Sequence, residues 1–227
     1  MKRILFFTVI LILVSSQAFA IGGHGMRRGV IMGWCTFNTL TNSLLNSRDL
    51  TSWDEVGTDV AAYNAVGLIG IAKTATLITD DQAGGAEGVY QNIAIANDSN
   101  THTAIFYVKK DSDESRFPEF QLNLVGGATQ NIGLQINTKN GDSTIRYSGG
   151  TVNSEVSDIG GWWKIILSVK NNNSGNTTAR IFAYASYATE IGANEITATG
   201  TLVIGNIELY INKTISDIRR LCPKYTP

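Results

Sequence analysis

The stretch Trp162-Trp163-Lys164-Ile165-Ile166-Leu167-Ser168-Val169-Lys170 decides the fold. With a period of two, Trp163, Ile165, Leu167 and Val169 form an unbroken apolar set, whereas Trp162, Lys164, Ile166 and Ser168 are mixed. Successive side chains of a strand point to opposite sides, so this alternation predicts a strand with one face in a core. The same rhythm runs through residues 88–96, 103–110, 119–125, 132–137, 178–186 and 201–210. It assigns Ala104, Phe106 and Val108, then Phe120, Leu122 and Leu124, then Ile181, Ala183 and Ala185 to the interior. Ile105, Tyr107 and Lys109 point the other way. Seven such runs, with weaker ones between them, exceed one open sheet and predict two antiparallel sheets face to face. The expected architecture is an all-β jelly-roll sandwich.

The connections have turn chemistry. Asp98-Ser99-Asn100, Gly126-Gly127, Asn140-Gly141-Asp142 and the asparagine-rich residues 171–176 supply side chains that cap their own backbone or tolerate positive φ. The last of these reads as a hairpin connection. No segment before residue 211 has the pattern of an amphipathic helix longer than two turns, and Ser216-Asp217 suits one capped helical turn.

Lys2-Arg3, the apolar residues 4–14 and the small residues Ala18 and Ala20 have the three-part layout of a secretory signal peptide. The expected organisation is a signal peptide over 1–20, a glycine-rich arm over 21–40, the sandwich over 41–211 and a tail over 212–227. Cleavage after Ala20 leaves 207 residues, enough for one core, with 16 basic against 19 acidic side chains and no membrane span. The expected location is extracellular, with periplasm or a virion surface as variants. No basic block offers itself to nucleic acid, since phosphate binding needs clustered Lys and Arg. Cys35 and Cys222 form a candidate disulfide in an oxidising compartment, with two unpaired thiols as the alternative.

The outward sets combine Tyr107, Trp162, Phe182 and Tyr184 with Lys164, Arg180, Gln121 and Asn123. Flat rings stack on the apolar faces of sugars, while amides and charged groups bond hydroxyl edges. Tyr107, Trp162, Lys164, Arg180, Tyr184, Gln121 and Asn123 are therefore the candidate ligand-binding residues on one sheet face, with glycan or polysaccharide as partner. The alternatives are that the arm covers these rings, or that they assemble with further copies or with an envelope or virion protein.

Asn42-Ser43-Leu44-Leu45 and Ser47-Arg48-Asp49-Leu50-Thr51-Ser52-Trp53 resemble the opening of the carbohydrate-binding-module-like jelly rolls found in phage tail and capsid-associated proteins and in bacterial secreted proteins. Residues 75–81, Val89-Tyr90-Gln91, residues 106–110, Gly161-Trp162-Trp163-Lys164 and residues 198–205 follow in that group's order, although Ile204 stands where the group usually has an aromatic. The resemblance implies a non-catalytic binding or attachment module.

Catalytic signals are sparse. His102 reads as a solvated loop histidine and His24 lies in the arm; no nucleophile elbow, paired-histidine metal motif or phosphate loop occurs. Asp54-Glu55, Asp80-Asp81 and residues 111–114 read as solvated turn acids, leaving Glu119 alone in a strand. A structural calcium held by Asp80-Asp81 or by Asp111, Asp113 and Glu114 is the alternative, as a hard cation takes carboxylate oxygens. No other cofactor is expected.

Overall fold

The computed structural model describes residues 40–57 and 60–221. The expected signal peptide, the expected arm up to residue 39 and both Cys35 and Cys222 lie outside the described residues. Among the described residues, twelve strands follow one short 3-10 turn, Leu50–Ser52. They are β1 (Asp54–Val56), β2 (Ala61–Val66), β3 (Ala72–Asp80), β4 (Gly88–Ala94), β5 (Thr101–Lys109), β6 (Phe117–Val125), β7 (Gln130–Ile136), β8 (Ser143–Gly149), β9 (Val152–Asp158), β10 (Trp162–Lys170), β11 (Thr178–Ala188) and β12 (Gly200–Tyr210). One helix, α1 (Ile215–Leu221), follows. No helix among the described residues is long and apolar enough to cross a membrane.

The strands form two six-stranded sheets, all of whose pairings are antiparallel. Sheet A has the order β1-β4-β11-β6-β7-β8 and sheet B the order β2-β3-β12-β5-β10-β9. The predicted β-sandwich is thus present. In sheet B the register places Trp163 opposite Val108, Ile165 opposite Phe106 and Leu167 opposite Ala104, all facing the interior. Sheet A answers with Phe120, Leu122, Leu124, Ile181 and Ala183, and the rings of Phe106 and Phe120 meet across the layers at 4.9 Å between centroids. Burial of these apolar faces drives the stacking of the two sheets.

Several details differ from the sequence reading. Residues 171–177 do not close a hairpin, because β10 belongs to sheet B and β11 to sheet A. The asparagines tie this crossover to neighbouring turns instead: Asn171 Nδ2 donates to the Ala96 carbonyl at 3.1 Å, and Asn176 Nδ2 donates to the Ala128 carbonyl at 2.8 Å. His102 is not solvated. Strand β5 begins at Thr101, which turns the imidazole toward the core opposite Val169, where it is 0 % exposed and burial holds its pKa below the ordinary value. Ile105 points away from the main core as expected but is only 1 % exposed, because α1 lays Ile215 and Ile218 over it and Ile166.

The acids also depart from a solvated role. Asp80 is buried; its Oδ2 accepts from the Glu87 amide at 3.0 Å and its Oδ1 from the Gln82 amide at 3.3 Å, while Glu87 Oε2 accepts from the Asp81 amide at 2.9 Å. The two carboxylates close the 81–87 loop. Asp111 and Asp113 instead pair with the buried Arg116. No cluster of three or more His, Cys, Asp or Glu set to hold a metal occurs among the described residues.

Burial, aided by the neighbouring charge of Glu87, raises the Asp80 carboxyl to about 6. The native state therefore binds this proton more tightly than the unfolded chain does, and Asp80 adds stability as the pH falls through about 6 toward its unfolded value of 3.8. Urea melts between pH 8 and pH 5 are expected to show that gain in the wild-type chain, and the gain is expected to shrink in Asp80→Asn. An unchanged pH profile in the variant would refute the assignment.

Candidate functional site

The strand order separates the sequence-predicted ligand residues into two groups. Tyr107 and the pair Trp162 and Lys164 stand on β5 and β10 of sheet B, whereas Gln121, Asn123, Arg180 and Tyr184 stand on β6 and β11 of sheet A. Their outward faces lie on opposite sides of the sandwich, so a single face holding all seven is overturned. Alternation tells inward from outward but does not say to which sheet a strand belongs.

Trp162 is also not an open ring. It is 8 % exposed and lies against Gly205, where a Cβ would come within 2.9 Å of the indole and 3.0 Å of Leu68. Leu68 belongs to the tip joining β2 to β3, a hairpin that the sequence reading left among its weak runs.

The outer face of sheet A is a built grid. Across β4, β11, β6 and β7, one row reads Asn92, Arg180, Asn123, Asn131; the next reads Tyr90, Phe182, Gln121, Gly133; the third reads Gly88, Tyr184, Glu119, Gln135. Tyr90 and Phe182 are 5.1 Å apart between centroids, Phe182 and Tyr184 are stacked at 5.6 Å, and Tyr187 meets Tyr184 edge-on at 5.6 Å. These half-buried rings brace one another, so their exposed surfaces are held in place before a ligand arrives.

Beside the rings runs a polar ladder along β6. Gln121 Nε2 donates to Glu119 Oε1 at 2.7 Å, Asn123 Nδ2 donates to Gln121 Oε1 at 3.1 Å, and the Tyr147 hydroxyl donates to Asn123 Oδ1 at 3.4 Å. Glu119 is 0 % exposed and accepts from Arg146 at both oxygens, with Nη2 at 2.7 Å. Arg146 in turn lies 4.6 Å from the Tyr147 ring and 4.5 Å from that of Tyr187. Burial works against the guanidinium charge, and Glu119 more than offsets it, holding the pKa above its ordinary value. Burial, reinforced by Glu119, pushes the Tyr184 phenol up to about 12 and raises Tyr147 and Tyr187 as well, so all three remain neutral donors near pH 7.

Two local features make the grid possible. In β8 the register passes from Tyr147 opposite Gly133 to Ile145 opposite Leu134, so Arg146 is the extra residue of a bulge and shares the outer face with Tyr147. Gly133 has no side chain, and a Cβ there would collide with the Tyr147 ring that lies over it. The sequence reading found Arg180, Tyr184, Gln121 and Asn123 but missed Tyr90, Arg146 and Tyr147. A bulge breaks the period of two, and no alternation reveals it.

Arg180 Nε donates to Asn92 Oδ1 at 2.8 Å, and its Nη groups have no acceptor among the described residues. The face therefore offers stacked rings, amides and a guanidinium with donors to spare. Glu119, on β6, accepts from Gln121, Gln135 and Arg146.

No protein-family profile matches the sequence, and no curated protein matches it. Among solved structures, the chain is similar to the enzymatically active domain of bacteriophage CBA120 tailspike protein 4 (TM-score 0.42, 15 % identity), over 74 % of this chain and 21 % of that one. It is also similar to an exo-β-agarase (TM-score 0.43, 13 % identity), over 78 % of this chain and 25 % of the agarase. A third likeness is to the carbohydrate-binding module TmCBM61 in complex with β-1,4-galactotriose (TM-score 0.33, 10 % identity), over 75 % of this chain and 99 % of the module. The chain thus spans about a fifth to a quarter of the tailspike and agarase chains.

Removing the guanidinium strands the Glu119 charge. Arg146→Met is expected to cost about 3 to 5 kcal/mol in urea unfolding, the usual penalty for orphaning a buried charge, and adding Glu119→Gln is expected to recover part of it. A loss no larger than that of a surface substitution would refute the role of the pair.

Proposed function

We propose that the chain is an exported, non-catalytic carbohydrate-binding module that holds a polysaccharide on the outer face of sheet A. The observation that carries this reading is the juxtaposition of the Tyr90, Phe182 and Tyr184 rings with the Gln121, Asn123 and Arg180 polar groups on one half-buried grid. Sugar rings lie with their C–H faces on the aromatics while their hydroxyls bond the amides and the guanidinium. The leader-like residues 1–20 support export. Retention on immobilised polysaccharides is expected to fall about tenfold for Phe182→Ala or Tyr184→Ala, in line with the loss of a packed ring contact, with no new reducing ends released by the wild-type protein. Retention unchanged in both variants, or cleavage of the polymer, would overturn the reading.

A second reading, a subunit that assembles with further copies, draws on the exposed Val66, Leu68, Ile69 and Ile71 around the β2–β3 hairpin tip. Light scattering at rising concentration decides it. A monomer throughout removes this reading, whereas a dimer that Ile69→Ser dissolves establishes it.

A further inference from the structure

The face opposite the grid holds a depression of about 690 Å³ that the proposed platform does not use. Register builds its floor: Lys164, Tyr107 and Asn206 stand side by side on β10, β5 and β12, and Glu208 follows Asn206 on the same side. Gly205 is the extra residue of a bulge in β12, and this bulge, under Trp162 and Leu68, closes one end. Ile159 in the β9–β10 turn and Ile218 of α1 line other walls. A site walled in this way admits a chain end or a single ring more readily than the middle of a polymer.

The floor has unmet bonding capacity. Asn206 Nδ2 donates to Glu208 Oε1 at 2.8 Å, yet Asn206 Oδ1 is buried without a hydrogen-bond partner among the described residues. Glu208 Oε2 accepts from the Tyr210 hydroxyl at 2.8 Å, and each carboxylate oxygen retains a lone pair. Lys164 has no carboxylate within 4.0 Å among the described residues, and Arg48 stands on the same rim. Lys164 and Arg48 act on Glu208 electrostatically without contact, and the buried Asn206 Oδ1 is left unbonded, an unfavourable state for a buried acceptor of the kind that ligand sites collect.

One ligand chemistry answers all three groups. A hydroxyl both donates and accepts, so a polyol can donate to Asn206 Oδ1 and Glu208 while accepting from Lys164. An ammonium serves only the acceptors and is repelled by Lys164 and Arg48, and a carboxylate serves only the cations and is repelled by Glu208. The apolar walls suit the C–H surface of a sugar ring. From these observations we infer that the depression is a second binding site, separate from the platform, that takes a single sugar ring. The module then holds carbohydrate on both outer faces.

The test uses the full chain and free galactose, glucose and N-acetylglucosamine as probes, followed by Trp fluorescence and calorimetry, with L-leucine as the rival apolar zwitterion. Saturable binding of at least one sugar at a dissociation constant of about 1 mM is expected. Lys164→Ala and Asn206→Ala are each expected to weaken it about tenfold, with melting curves confirming that both variants fold. Phe182→Ala on the other face is expected to leave it unchanged. No saturation by any of the three sugars, saturation by leucine alone, or a response that follows Phe182 and ignores Lys164 each overturns the inference. Polysaccharide retention read through Phe182 is a separate measurement, so failure of this site and failure of the platform are distinguishable.

Discussion

The structure depends on the packing of Phe106, Ile165 and Leu167 of one sheet against Phe120, Leu122 and Ile181 of the other. Each inward side chain commits its two neighbours in the strand to the outside. In a two-layer fold there are two outsides. The core therefore determines which residues meet ligands and also divides them between surfaces that share no edge.

That division explains what was legible. The strongest alternating runs were found within about two residues of their ends, because a strand buried on one face writes its period plainly into the sequence. Strands β1, β2, β3, β8 and β9 were not: the side chains of β1, β2, β8 and β9 are largely half-exposed or exposed and carry little apolar contrast, and β3 buries Thr76 and Asp80 along with Ala75 and Ile78, which blurs its alternation. Losing β2 hid the hairpin that covers Trp162, and losing β8 hid Arg146 and Tyr147. Sheet membership, which decides whether Tyr107 and Tyr184 share a surface, is a property of long-range pairing and leaves no local trace.

Four charged side chains are buried among the described residues, Asp80, Glu87, Arg116 and Glu119, and each bonds a neighbouring group. Glu119 with Arg146, Arg116 with Asp111 and Asp113, and Asp80 with loop amides each fix the geometry of a surface or a connection. Paired buried charges often gain little over apolar packing, whereas losing one partner of such a pair is costly. On sheet A the pair also meets the aromatic rows, because Arg146 lies 4.5 Å from the Tyr187 ring, which in turn packs edge-on against Tyr184. The buried His102 has Asp98 3.9 Å from its Nε2, and burial outweighs that neighbouring charge in holding its pKa below the ordinary value.

The bulge at Arg146 makes this short edge strand intolerant of length change. In regular pleating, residues 146 and 147 would face opposite ways. A chain one residue shorter at this point would have to turn either the guanidinium or the phenol away from Glu119 and Gly133, and the register of every residue between 143 and the bulge would shift by one. Descent with insertions or deletions inside this strand would dismantle the surface while leaving the sandwich intact.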